Sequence, residues 1–232
     1  MVTFRREFSA LLSTTVLFGL GGCADQLTSN DETVISEDPR IDEPPYPIDE
    51  ETIKNYSSDK KAQQNWNSRY LGEEMPTQPS VEFERLDIPI GFVTSDTFNL
   101  ARHVEDLNAA YLAVVIKNKS EVTDIFKTDE MDKQRRQTLE NINFESTALV
   151  LVETGFGSSS IKHRWKRIEK GKNSVHLHGY YTKPLTRTSD LDTRFSVLRV
   201  NQPDDFEFAR VSLTTNVDER VHFNSTEGIV SL

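Results

Sequence analysis

Three hydrophobic regimes succeed one another along the chain. The first is a single apolar run, residues 9–20, behind a start that carries Arg5 and Arg6. It is shorter than the roughly 20 apolar residues of a permanent membrane-spanning helix, so it predicts a removable segment rather than a span. The second regime, residues 24–80, has no sustained period. Pro39, Pro44, Pro45 and Pro47 crowd one short stretch of it, which predicts a disordered, extended linker. Trp66, Tyr70 and Leu71 are the residues there able to dock onto a folded neighbour.

The third regime begins at Val81, and its periods are those of a folded domain. Residues 81–93 alternate in part and predict a strand interrupted by Pro89. Residues 100–107 suit a short helix. Residues 111–116, rich in β-branched side chains, predict a buried strand. Ser120 offers an N-cap signal for a second short helix, and residues 129–140 are helix-compatible. Residues 147–153 form an apolar strand, closed by a turn signal at 154–158. Strands at 161–168, 174–181, 195–200 and 208–214 follow at hairpin-like spacing. Residues 217–232 are left as an edge strand or a frayed end. The fold class is mainly β (α+β): an antiparallel sandwich or small barrel with one or two short helices. The division is 1–22 signal peptide, 23–80 lipidated Cys and acidic linker, 81–232 β-rich domain.

Charge sharpens that division. The formal net charge is -10, and residues 24–60 alone hold eleven acids against Arg40, Lys54 and Lys60. The acidity belongs to the linker, and the domain is close to balanced. A net acidic chain argues against a nucleic-acid partner. Cys23 is the only cysteine, so no internal disulfide can form.

Leu20-Gly21-Gly22-Cys23 resembles the lipobox of prokaryotic lipoproteins, and Arg5-Arg6-Glu7-Phe8 resembles a twin-arginine export signal. Signals joining the two resemble those of halophilic archaea. The resemblance implies a lipid on the Cys23 sulfur, cleavage before Cys23, and residence on the extracytoplasmic face of the cell membrane. Further along, Ala113 to Ile116, the stretch ending Ile125-Phe126, and Asn143-Phe144-Glu145 running to Gly155 resemble the C-terminal domain of PrcB-type protease-complex lipoproteins. That similarity implies a non-catalytic partner of another exported protein. Ser158-Ser159-Ser160-Ile161 departs from the family, which has Gly and an aromatic after the turn.

Catalytic motifs are scarce. Gly155-Phe156-Gly157-Ser158 lacks the spacing of a nucleophile elbow. No phosphate-cradling glycine loop or dinucleotide fingerprint is present, and no cofactor is called for. His176 and His178 flank Leu177 on a predicted strand, so both imidazoles share one face, a spacing a metal site can use. His163, on the preceding strand, is the candidate third ligand. Two ordinary imidazoles on a half-exposed face are the simpler reading. Lys162, Arg164 and Lys166 share a face of the predicted strand at 161–168 and could meet an anionic partner, although a solvated edge explains them as well. Asn55, Asn118 and Asn224 fit the N-glycosylation pattern. The expectation is therefore a membrane-anchored, non-enzymatic binding or accessory domain for another exported protein. The alternative is a small metal-dependent or hydrolytic enzyme using His176 and His178.

Overall fold

The computed structural model describes residues 40–44, 80–94, 98, 100, 104, 109–182, 184 and 186–232, all within the unit Glu37–Leu232. Arg5, Arg6, Phe8, Leu20, Gly21, Gly22, Cys23, Asn55, Trp66, Tyr70 and Leu71 lie outside the described residues, as does most of the helix expected at 100–107.

Two five-stranded sheets face one another. One has the order β1 (Ile41–Asp42), β9 (Glu219–Asn224), β8 (Phe208–Asn216), β6 (Ser174–Tyr181) and β5 (His163–Lys170). The other runs β10 (Val230–Ser231), β3 (Ala110–Ile116), β4 (Thr147–Ser158), β7 (Leu191–Asn201) and β2 (Phe83–Leu86). Among the described residues, two short helices, α1 (Lys119–Ile125) and α2 (Lys133–Glu140), accompany the sheets. This is the mainly β sandwich that the sequence predicts. No helix among the described residues is long and apolar enough to cross a membrane.

Strand alternation builds two cores. Ala148, Val150 and Val152 of β4 point between the sheets and meet Val175 and Leu177 of β6 and Val211 and Leu213 of β8. Leu149 and Leu151 point the other way, onto Val122, Ile125 and Leu139 of the helices. The β4-bearing sheet is thus covered on both faces, which is why residues 149–152 form a continuous apolar run. The β6-bearing sheet is covered on one face by the sandwich core. Its other face is lined by polar side chains and carries the site described below.

Four details differ from the sequence expectation. The ladder between β6 and β8 is parallel, because β7 crosses to the opposite sheet and the chain returns alongside β6 in the same direction. The turn expected at 154–158 is a continuation of β4. A bulge between Thr154 and Phe156 absorbs the irregularity, with Gly155 at φ 40°, a conformation glycine adopts without a Cβ clash. Asn118, not Ser120, caps α1: its side chain accepts the Glu121 N–H at 3.0 Å while Ser120 Oγ donates to it. Finally, part of the acidic linker is ordered. Ile41 and Asp42 pair with Val221 and Arg220 at the sheet edge, and the Asp42 carboxylate holds Arg220 at 2.5 and 2.8 Å.

Candidate metal centre

The β5–β6 hairpin determines which side chains meet. Its ladder sets His163 opposite Tyr181, Arg167 opposite His178, Ile168 opposite Leu177 and Glu169 opposite His176. A bulge between Trp165 and Arg167 interrupts the alternation. Before it, His163 and Trp165 face inward; after it, Ile168 does, and Arg167 and Glu169 turn to the outer face beside His176 and His178. Gly179 makes this packing feasible, since a Cβ there would stand 2.6 Å from the Trp165 ring.

Glu169, His176 and His178 each offer a ligand atom, and these atoms lie within 4.8 Å of one another. The two imidazole centroids are 4.1 Å apart. His178 Nε2 is buried, has no hydrogen-bond partner among the described residues, and lies 3.5 Å from Glu169 Oε2. The other carboxylate oxygen, Glu169 Oε1, accepts Arg167 Nε at 2.6 Å. Both imidazoles are held neutral. Burial, then the neighbouring His178, pushes His176 down to about 3. Burial also lowers His178, against the opposing pull of Glu169. Burial alone would raise Glu169; the hydrogen bond from Arg167, the neighbouring His178 and the charge of Arg167 outweigh it and keep the group an anion. Neutral imidazoles with a carboxylate are the protonation states that bind metal.

Behind His176 runs a chain of hydrogen bonds across three strands. His222 Nε2 donates to Asp42 Oδ1 at 2.9 Å, because a carboxylate can only accept. The Ser212 hydroxyl can donate to His222 Nδ1 at 2.9 Å. Ser212 Oγ in turn accepts His176 Nε2–H at 2.6 Å. In that arrangement His176 Nδ1 carries the available lone pair. Arg220 lowers Asp42 by hydrogen bonding, and so keeps the far end of the chain an acceptor. The Asp42, His222 and Ser212 series has the connectivity of a nucleophile relay, but not its surroundings. Ser212 is 2% exposed, its oxygen is engaged by two imidazoles, and the β8 backbone N–H groups are spent on the β6 and β9 ladders. Buried and doubly engaged, Ser212 is placed to orient His176 rather than to attack a substrate.

The structure brings His176 and His178 together and places His163 elsewhere. His163 is 1% exposed, with Nε2 2.7 Å from Thr154 Oγ1 and Nδ1 3.0 Å from Ser196 Oγ. Both ring nitrogens are satisfied by hydroxyls, as in a core histidine. Glu169 takes the third position instead. Counting outward from the hairpin turn at 171–173 would have paired it with His176. Lys162, Arg164 and Lys166 are exposed. Lys162 precedes β5 and Lys166 occupies the bulge, so the alternation expected to align the three is broken.

These contacts correct the functional expectation. A purely non-enzymatic accessory domain gives no reason for a half-buried imidazole pair and a carboxylate to converge with an unpartnered nitrogen among them. No protein-family model, curated protein or solved structure matches the chain.

Proposed function

We propose that this protein is a small metal-dependent enzyme whose centre is Glu169, His176 and His178. The observation that carries the reading is the convergence of three ligand atoms within 4.8 Å. Zinc–ligand bonds of about 2.0–2.2 Å place tetrahedral ligands roughly 3.4 Å apart, so rotation of these side chains by about an ångström closes the set. Two His and one carboxylate leave a coordination position open, and an ion held in this way supplies Lewis acidity and an activated water.

The protein's own groups supply the rest. Ser212 holds His176 in the tautomer that presents Nδ1. Arg167 holds one oxygen of Glu169 and leaves the other toward His178. Arg210 lies beside His176 across the β6–β8 ladder, and Arg220 reaches both imidazoles electrostatically. Arg210 and Arg220 bring positive charge beside the acids Asp42 and Glu169, and that charge favours an anionic substrate or a developing oxyanion.

The location is part of the same reading. The Arg5-Arg6-Glu7-Phe8 and Leu20-Gly21-Gly22-Cys23 patterns support export and a lipid on Cys23, with the centre working outside the cell membrane at the end of an acidic tether. The PrcB-like pattern is in keeping with an extracytoplasmic lipoprotein. Replacing Cys23 with Ser should release the protein from membranes; unchanged membrane retention would overturn the anchor.

The enzyme reading is tested on the purified full chain in detergent. One zinc per chain is expected by elemental analysis, together with chelator-sensitive hydrolysis of a p-nitrophenyl ester or phosphodiester. His178→Ala and Glu169→Gln should each lose the metal and the activity while retaining the β-rich circular dichroism spectrum. Uptake of zinc by His178→Ala equal to that of the native chain would overturn the centre.

A further inference from the structure

A second feature lies away from the proposed metal centre, toward the His163 end of the hairpin. A cleft of about 370 Å³ opens there, walled by β2, β7 and the start of β5. Arg85, Lys162 and Arg194 line it, with Ile88, Ile161 and Phe195 as apolar walls. We propose that this cleft is a binding site for a small organic anion, one carboxylate on an apolar body.

The case rests on three cations gathered around one cleft. None of Arg85, Lys162 and Arg194 forms an ion pair among the described residues. Arg85 spends two of its five N–H donors on backbone carbonyls, His163 O at 3.2 Å and Phe195 O at 3.3 Å. Those bonds fix the guanidinium and leave donors free. Arg194 is fixed differently. Its guanidinium lies 4.4 Å from the Tyr181 ring centroid and fills the space Gly157 leaves, where a Cβ would come within 2.7 Å of Nη2. Its Nε is buried with no hydrogen-bond partner among the described residues.

A buried guanidinium N–H without an acceptor is costly, and the natural acceptor is an oxyanion. Two acids also line the cleft and form no ion pair with these cations among the described residues, although Asp87 attracts Arg85 through space. Asp87 is bound to Arg135 at 2.6 Å, and Asp192 Oδ1 accepts the Thr193 N–H at 2.8 Å. The three cations act on a common point: after burial, Arg85, Arg194 and Lys162 are the groups that depress His163. Ser159 and Ser196 add hydroxyls to the rim and wall. The volume is at the small end of ligand sites, which are about 300–1,000 Å³. It suits a ring-sized acid better than a polymer.

The purified full chain, with the metal site chelated, should be titrated by calorimetry with benzoate, benzamide and inorganic phosphate. Benzoate is expected to bind more tightly than benzamide by about tenfold or more, the gain typical of a charge-assisted pair. Arg194→Gln and Arg85→Gln should each weaken benzoate by a similar factor, with benzamide unaffected. Asp192→Asn, which removes a negative charge from the rim, should tighten it. Phosphate binding as tight as benzoate would overturn the apolar-body requirement. Equal binding of benzoate and benzamide, or benzoate binding unchanged in both arginine variants, would overturn the site itself. Circular dichroism verifies that the variants are folded, and Arg194→Lys provides a charged variant lacking the fork geometry. It should recover only part of the affinity.

Discussion

The two ends of one hairpin use histidine in opposite ways. At one end His163 is sealed in the core, with a hydroxyl on each ring nitrogen. At the other, His176 and His178 stand half-buried beside Glu169, and His178 Nε2 has no hydrogen-bond partner among the described residues. Both ends are β-strand, both are partly dry, and both lie on the same two paired strands. What separates them is hydrogen-bond satisfaction. A buried imidazole with both nitrogens engaged is a structural element; a pair set beside a carboxylate, with a ring nitrogen still unbonded among the described residues, is arranged to receive something.

The sharpest way to break this comparison is to delete an imidazole at each end. His163→Ala would leave Thr154 Oγ1 and Ser196 Oγ without their partner in a dry site and open a cavity. It should cost about 3 kcal/mol or more in chemical unfolding, from cavity and unsatisfied-hydroxyl terms together. Zinc stoichiometry of the protein that does fold should stay at one. His178→Ala should do the reverse, costing roughly 1 kcal/mol or less in the metal-free chain while abolishing stoichiometric zinc. If both substitutions cost the same stability and both lose metal, the division of labour along the hairpin is wrong.

This division was only half legible in the sequence. Period-two alternation in residues 174–181 was enough to place His176 and His178 on one face, and the apolar runs at 111–116 and 147–153 identified central strands. The third ligand was legible only by counting outward from the hairpin turn at 171–173, because alternation read forward from His163 fails at the bulge. The bulge at Lys166 moves Arg167 and Glu169 onto the outer face, and unbroken alternation from His163 would have kept them inward. Asp42 was hidden for a related reason. It lies in an acidic, Pro-bearing stretch whose composition argues for disorder, and only its pairing with Arg220 and His222 at the sheet edge makes it part of the site. The parallel β6–β8 pairing was likewise invisible locally, since it depends on β7 crossing to the other sheet.

Acid should reveal the buried end next. His163 is held well below its ordinary 6.5 by burial and by the charges of Arg85, Arg194 and Lys162. Above 6.5 both folded and unfolded chains hold it neutral. Below that value the unfolded chain takes up a proton that the folded chain refuses, so stability falls as pH drops toward the depressed folded value. His176 and His178 are depressed too and add to the same slope in the metal-free chain. Unfolding free energies of the chelated protein between pH 7.5 and about 5 should therefore decline, and His163→Gln should flatten the decline in part. A slope identical in the native chain and in His163→Gln would show that the buried end does not titrate in this way.

The smallest expected effect makes the finest distinction, because each end also has a bridging hydroxyl. Thr154 Oγ1 joins His163 to Tyr181 at 2.7 and 2.6 Å. Ser212 Oγ joins His176 to His222 at 2.6 and 2.9 Å. Removing either hydroxyl leaves buried groups unpaired, so Thr154→Val and Ser212→Ala should each cost about 1–2 kcal/mol in the metal-free chain. Only Ser212 sets the tautomer of a proposed ligand. Ser212→Ala should therefore weaken zinc by about tenfold, the lower end of what outer contacts to a ligating histidine contribute, while Thr154→Val leaves zinc affinity unchanged. Zinc calorimetry on both variants, compared at matched stability, decides it. Equal losses of affinity would mean that zinc responds to the general rigidity of the sandwich. A loss confined to Ser212→Ala would mean that the chain from Asp42 through His222 holds His176 ready for the ion.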